Sequence, residues 1–472
     1  MKNIAKNFFY QSIFQLTRIL IPIITVPIVS KALGPEGIGI YNYSNSIAQY
    51  FVLFGGLGVS LYGNREIALK WHQKEDISQT FWEIFTFKAI MTLFALSIYY
   101  CIIFFIGNKE FFYVQSLVII SVLFDISWFF MGIEDFKKTS LCNLFVQFIT
   151  FFCIILFVKQ PGDAIKYTLI QAAGMLLSQI IVWLFIKEYI HFKKVNLKES
   201  MAHIKGSIEY FIPQIAIMFY TNINKTILGV FVGSAAVGYF SNSMQLNNVF
   251  ITVITTIDVV LLPHMSGLFA KNNEQRIINV MKETIHIQLF FSIPIMFGVL
   301  TVYDKLVPWF FGEKFLFINS VIPFFSILIV VIPLGMSISR QYLMPVGKVK
   351  EYNKSVLGGA LVNVIINSLL LPTVGFFGVV TANIVSEVFV TLIRTKSFLK
   401  ITNFKFEMKK IFSFFFSSLV MCLVTRFITR NMSASFGTNI IQLSIAIPIY
   451  FLIVTFFGAN PLLDLIKSRK RN

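Results

Sequence analysis

Apolar runs of about 20 residues or more, the length that crosses a hydrocarbon layer, recur from near residue 8 to near residue 459, with only short polar connections between them. On that ruler roughly fourteen spans are expected. They lie near 8–32, 38–63, 80–106, 111–131, 140–159, 166–188, 208–232, 237–262, 283–307, 319–344, 355–372, 376–397, 411–429 and 439–459. Charged residues make up 13% of the chain and hydrophobic ones 56%. A soluble domain is about a quarter charged, so this composition belongs to a membrane protein. The fold class expected is all-α and multi-pass, with two pseudo-symmetric six-helix lobes around a central cavity and two further C-terminal helices.

A net charge of +18 would suggest nucleic acid as the partner of a soluble protein. Here the excess of Lys and Arg in cytoplasmic loops accounts for most of it, and no nucleic-acid partner is expected. With the N-terminus in the cytoplasm, roughly 28 of the 40 Lys and Arg fall on the cytoplasmic side, roughly 7 outside and about 5 within spans. Both termini are therefore placed in the cytoplasm. The tail Lys467, Arg469, Lys470, Arg471 suits contact with anionic lipid head groups. Cys101, Cys142, Cys153 and Cys422 all sit in apolar runs without CxxC spacing, as small buried residues do. Lys2 and Lys6 ahead of an apolar run mimic a signal peptide. That run is too long, carries Arg18 and lacks a small-residue cleavage site, so it is expected to be retained.

Loops are short, which leaves no room for an extramembrane catalytic domain. The longest basic connection, Lys187 to Lys205, divides the first twelve spans into two sets of six. The expected organisation is a first lobe over 1–190, a cytoplasmic connection over 191–207, a second lobe over 208–397, and two added helices with a basic tail over 398–472. A faint repeat crosses the divide. Gly34, four residues, Gly39 and a Tyr/Asn/Ser stretch in the first half match Gly233, four residues, Gly238 and Tyr239-Phe240-Ser241-Asn242-Ser243 in the second. Pro22, Pro27, Pro213 and Pro294 fall inside expected spans, where each removes a backbone hydrogen bond and favours a kink.

Enzyme signatures are missing. No GxxxxGK[ST], HExxH or GxSxG occurs, and the five histidines have no ligand spacing. What remains is buried charge and amide. A bare charge facing lipid at mid-bilayer costs several kcal/mol, so a cation there should face protein or a wet cavity. Arg18 is the strongest case, with Gln15 and Gln11 on the same helical face. Span two repeats the pattern with Asn42, Asn45 or Ser46, and Gln49, span seven with Gln214, Thr221 and Lys225, and span eight with Asn242, Gln245 and Asn248 or Thr252; Asn222 is a further cavity candidate on span seven. Lys88 is a further candidate cavity cation. Asp125, Asp258 and Arg340 are candidates for gating or for coupling to protons or sodium. Arg426, Glu83, Glu209 and also Arg340 lie near span ends, where long side chains reach the interface. A cavity richer in cations than anions attracts an anion, and Lys and Arg with flanking amides suit a phosphate or diphosphate. A sugar diphosphate would use both features, and so would a nucleotide sugar or another organic anion. No cofactor or metal is expected.

Several stretches together carry a resemblance. They are SKALGPEGIGIYNYSNSI from Ser30, YGNREIA from Tyr62, DISWFFMGIEDFK from Asp125 and NKTILGVFVGSAAVGYFSNS from Asn224. PHMSGLFAKNN follows from Pro263, PWFFGEKF from Pro308, and QYLMPVGKVKEYNKSVLGGALVNVIINSLLLP from Gln341. On these the chain resembles the Wzx-type polysaccharide repeat-unit flippases of the multidrug/oligosaccharidyl-lipid/polysaccharide exporter superfamily, over about spans one to twelve. The resemblance implies a two-lobed bundle of twelve helices with two peripheral ones, in a bacterial cytoplasmic membrane. It implies movement of an undecaprenyl-diphosphate-linked oligosaccharide between leaflets by alternating access, for capsule, exopolysaccharide or O-antigen synthesis. Partners would be membrane lipids, a polysaccharide polymerase and other export proteins. Arg18 and Lys225 occupy family-like positions. Asn224 departs from the acidic residue that many relatives carry before the lysine. A flippase for teichoic-acid or lipid II precursors remains an alternative, and so does a multidrug/cation antiporter, which would need an acidic aromatic cavity.

Overall fold

The structure is a computed structural model. It describes residues 2–105, 107, 109–271 and 273–463, with side chains from Ile21 onward except at 213, 216, 220, 259, 263 and 274. Gln11, Gln15, Arg18 and Pro213 therefore fall outside the described side chains. Every regular element among the described residues is helical. Twelve helical stretches there are long and apolar enough to cross a membrane. The first, Ile21–His72, covers the ground of an expected pair of spans. A 35-residue helix, Leu197–Phe231, stands where the seventh is expected. The chain is a multi-pass all-α membrane protein, and it divides into two compact units, Met1–Gly238 and Tyr239–Asn472.

The first unit begins with α1 (Lys2–Gly56), which runs helical through Pro22, Pro27 and Pro35 and breaks its dihedrals at Gly34, φ 67°. The dihedral break falls at a glycine because a left-handed φ is cheap only without a Cβ. Seven helices follow: α2 (Val59–His72), α3 (Ser78–Ile103), α4 (Lys109–Phe124), α5 (Ser127–Gly132), α6 (Phe136–Phe157), α7 (Ala164–Val182) and α8 (Leu197–Phe231). An aromatic core ties α2, α3 and α5 together. Phe81 stacks on Trp128 at 5.4 Å and meets Phe129 edge-on at 5.2 Å. Gly63 admits that indole, since a Cβ there would sit 2.6 Å from Trp128 Cε3.

The step from α4 to α5 leaves carbonyls without helical partners. Phe124 O accepts from Trp183 Nε1 at 2.7 Å. Asp125 O accepts from Trp128 Nε1 at 3.1 Å and also from Lys88 Nζ.

The second unit holds most of α9 (Ser234–Ala270), then α10 (Glu274–Phe310), α11 (Ile322–Phe325), α12 (Leu328–Ile338), α13 (Val349–Val374), α14 (Phe376–Ile401), α15 (Met408–Thr429) and α16 (Phe436–Phe456). A π-helical turn, Ser339–Leu343, continues α12. Phe290, Phe414 and Tyr450 form the centre of its core, with ring centroids 5.5 to 5.6 Å apart. Pro294 lies inside α10 without ending it. A proline withholds the N–H that Phe290 O, four residues earlier, would accept. Tyr450 supplies the replacement, its hydroxyl donating to Phe290 O at 2.7 Å.

Candidate functional site

In the first unit, polar side chains gather where the second half of α1 packs on α8. Gly229 lets the two helices close, because a Cβ there would sit 2.0 Å from the Tyr43 ring. Ser46 Oγ and Tyr50 OH each lie 3.1 Å from Thr226 Oγ1. Thr226 also donates to Asn222 O at 3.3 Å, so Asn222 and Thr226 share this face. Asn222 itself bonds within its own helix, to Met218 O at 3.3 Å.

The amides of span two divide their attention. Asn42 donates to Ile38 O, one turn back, at 2.9 Å. Asn45 donates to Gln115 Oε1 of α4 at 3.4 Å, and fully buried Gln115 reaches Ser44 Oγ at 3.5 Å. Gln49 on α1 and Gln214 on α8 are half-buried. Lys225 is half-buried too, and among the described residues it has neither a hydrogen bond nor an ion pair. Asn224 beside it is buried and partnered. Of the expected site residues, Asn222 stands beside the Ser46–Tyr50–Thr226 contact, Asn42 bonds within its own helix and Asn45 turns to α4. Sequence reasoning passed over Gln115, Tyr50 and Thr226, and a lone amide or hydroxyl in an apolar run was their only signal.

Lys88 is placed differently from its expected role. Its side chain is 2% exposed. Its ammonium donates to Asp125 O and stands 4.0 Å from Asp125 Oδ2. It closes the α4–α5 break from a buried position. The physical reason is local: a broken helix leaves carbonyls that a buried cation satisfies well. Asp125 belongs to the same break, its Oδ1 accepting from Ser127 N at 2.9 Å.

In the second unit, Asn242 is buried and partnered, and Gln245 is half-buried. Asp258 is wholly buried. Its Oδ1 accepts from Gln288 Nε2 of α10 at 2.8 Å, Ser337 Oγ of α12 at 2.9 Å, and Gln341 Nε2 of the π-turn at 2.6 Å. Arg340, half-buried on that turn, is close enough for its charge to act on Asp258. Gln288, Ser337 and Gln341 were not anticipated. Arg394 was also missed: it is 7% exposed, donates from Nε to Ser355 Oγ at 3.0 Å, and lies 5.0 Å from the Tyr352 ring. Arg426 pairs near its span end with Leu300 O at 2.8 Å and Asp304 at 3.8 Å. Among the described residues no group of three or more His, Cys, Asp or Glu could hold a metal ion.

α1 is broken at Gly34, hydroxyls of Ser46, Tyr50 and Thr226 meet between α1 and α8, and glycines recur at matching positions in the two halves of the sequence. The sequence profile described as "Polysaccharide biosynthesis protein" matches residues 4–269, more than half of the chain. The chain belongs to this family. Within reach of the polysaccharide biosynthesis proteins stands the "Putative O-antigen transporter" of Escherichia coli strain K12, 23% identical over 388 residues, covering 79% of this chain and 91% of that protein. Another relative is the "Probable low-salt glycan biosynthesis flippase Agl15" of Haloferax volcanii, 23% identical over 306 residues, 62% of this chain and 61% of that protein. Among solved structures, "Lipid II flippase MurJ, inward closed conformation" superposes with a TM-score of 0.78 at 15% identity, over 97% of this chain and 100% of that one. That likeness shows a shared transporter fold.

Proposed function

We propose that this polysaccharide biosynthesis protein is a flippase that carries undecaprenyl-diphosphate-linked oligosaccharide repeat units from the inner to the outer leaflet of the cytoplasmic membrane. The observation that carries the reading is Lys225: a half-buried cation on α8, in the stretch expected as the seventh span, with no partner among the described residues. A charge in that position is costly unless water or an anion faces it. The family membership and the names of the O-antigen and glycan relatives narrow the anion to a glycan carrier. A diphosphate bearing sugars offers negative oxygens to the ammonium and hydroxyls to Gln49, Gln214 and Asn222. Crossing hydrocarbon unaided would strip that head group of water at a cost of many kcal/mol, and a wet cationic groove replaces the lost hydration. Arg18 extends the same chemistry along span one. Alternating access then exposes the groove to each side. Both termini lie in the cytoplasm in this reading, as the distribution of Lys and Arg requires.

The test is complementation of a host strain lacking the gene. The native chain restores surface polysaccharide. Lys225→Ala and Arg18→Ala reach the membrane in normal amount and restore little, while Lys225→Arg keeps a substantial part. Full polymer with Lys225→Ala would sink the proposal. Loss of cell-wall synthesis in the deletion would point to a peptidoglycan precursor, and a gain of drug sensitivity without loss of polymer to an antiporter.

A further inference from the structure

The buried cluster around Asp258 has an imbalance. Asp258 Oδ1 lies within hydrogen-bond distance of three donors, yet its Oδ2, equally buried, has no partner among the described residues. Gln341 donates to Oδ1 through Nε2, while its own buried Oε1 also has no partner. Ser337 Oγ also faces Gln288 Oε1, and its single proton serves one of these two acceptors. The two unsatisfied atoms are thus both acceptors, and they belong to residues already joined by a hydrogen bond. Leaving a buried polar atom unpaired costs about 1–3 kcal/mol, and a buried carboxylate without a direct ion pair costs far more. What the cluster lacks among the described residues is a donor.

We infer that Asp258 is a proton-binding site: Oδ2 carries a proton and donates it to Gln341 Oε1, so that acid and amide pair through two complementary hydrogen bonds. One proton taken from water satisfies both orphan acceptors and removes the buried charge, with no other atom added. Among the described residues Arg340, on the same turn as Gln341, is a charged group whose field reaches Asp258. From α10 the facing side chain is neutral Gln288 and from α12 it is Ser337. His286 of α10 turns away to Glu407 at 3.8 Å. The π-turn Ser339–Leu343 is what aims Gln341 at the carboxyl. Wide turns of this kind recur at functional sites because they are not the lowest-energy form of a helix. Release of the proton leaves a charge in a dry site and loosens the packing of α9, α10 and the π-turn. That gives the second unit a proton-sensitive joint. The consequence for transport rests on the flippase reading; proton binding itself does not.

The experiment uses the full chain in lipid nanodiscs, comparing native protein with Asp258→Asn by infrared difference spectroscopy. At pH 7 the native protein shows a protonated-carboxyl band that Asp258→Asn lacks. The band persists when sodium replaces potassium and disappears only at alkaline pH. Gln341→Leu keeps the band and moves it to higher frequency, because the O–H has lost its acceptor. In unfolding measurements above about pH 4, the ordinary carboxyl value, the native equilibrium shifts toward the unfolded state relative to Asp258→Asn, about tenfold per pH unit up to the folded value. An ionised Asp258 at pH 7, an unmoved band in Gln341→Leu, or removal of the band by sodium at constant pH would each overturn the inference, the last in favour of a cation site. None of these readouts involves a glycan, so they stand or fall separately from the proposed cargo.

Discussion

Gly39 and Gly238 cross in direct backbone contact. A Cβ on Gly39 would lie 1.7 Å from Ser234 O and 3.0 Å from Gly238 N, and a Cβ on Gly238 would lie 2.1 Å from Pro35 O. These are the second glycines of the repeated pair. The first glycines behave alike as well: Gly34 has φ 67° where α1 breaks, and Gly233 has φ 116° between α8 and α9. The repeat visible in the chain is therefore also a contact, each copy supplying one turn and one close-approach glycine.

Gly39→Ala and Gly238→Ala are expected to destabilise strongly. The opposing atoms are backbone and cannot rotate aside, so the cost should reach or pass the upper end of the usual overpacking range of about 1–3 kcal/mol. The check is the amount of protein in the membrane and its unfolding midpoint in detergent. Gly267→Ala, where a Cβ meets nothing within 4 Å, serves as the control and should leave both near the native values.

Lys88 and Lys225 should separate stability from transport. Lys88→Met removes a donor from the α4–α5 break, and the expected loss is about 1–3 kcal/mol. Lys225→Met has no described partner to lose, so its unfolding midpoint should match or exceed that of the native chain. Surface polysaccharide should fall in both. It should recover on overexpression only for Lys88→Met, whose defect is in the amount of folded protein.

Tyr450→Phe should cost about 0.5–1.5 kcal/mol, because Phe290 O then loses the donor that stands in for the missing N–H of Pro294. Pro294→Ala returns that N–H. In a double-mutant cycle, Tyr450→Phe should therefore cost less in the Pro294→Ala background. Additive effects would show that the hydroxyl and the proline are unconnected.

Glu407, between α14 and α15, is held at about 2 by its hydrogen bond from Lys282 and by Lys410. Lys282 lies 2.7 Å away and Lys410 2.9 Å. A folded value below the ordinary carboxyl range stabilises the fold above about pH 4 and loses that effect as pH falls through about 2. Its side chain is 30% exposed, so the stabilisation is in the surface range, about 1 kcal/mol or less. Glu407→Gln should unfold more readily than the native chain at pH 7, and the two should converge near pH 2.

The helices were legible because the bilayer imposes a length and forbids unpaired backbone. Apolar runs such as 283–307 and 439–459 needed no knowledge of their neighbours. The paired glycines were legible for a similar reason, since a turn leaves a local mark. Lys88 was read as a cavity residue because a cation closing a helix break and a cation facing a groove look the same in an apolar run. Only the placement of Asp125 O beside its ammonium distinguishes them.

Asp258 shows the limit most clearly. By itself the chain determined that an acid would sit inside a membrane helix and that it needed a partner. Which partners, and how many, depended on α10, α12 and the π-turn arriving at one point from distant stretches of sequence. Burial and hydrogen bonding are properties of that convergence. Periodicity along one helix reports which way a side chain points, and packing alone decides what it meets.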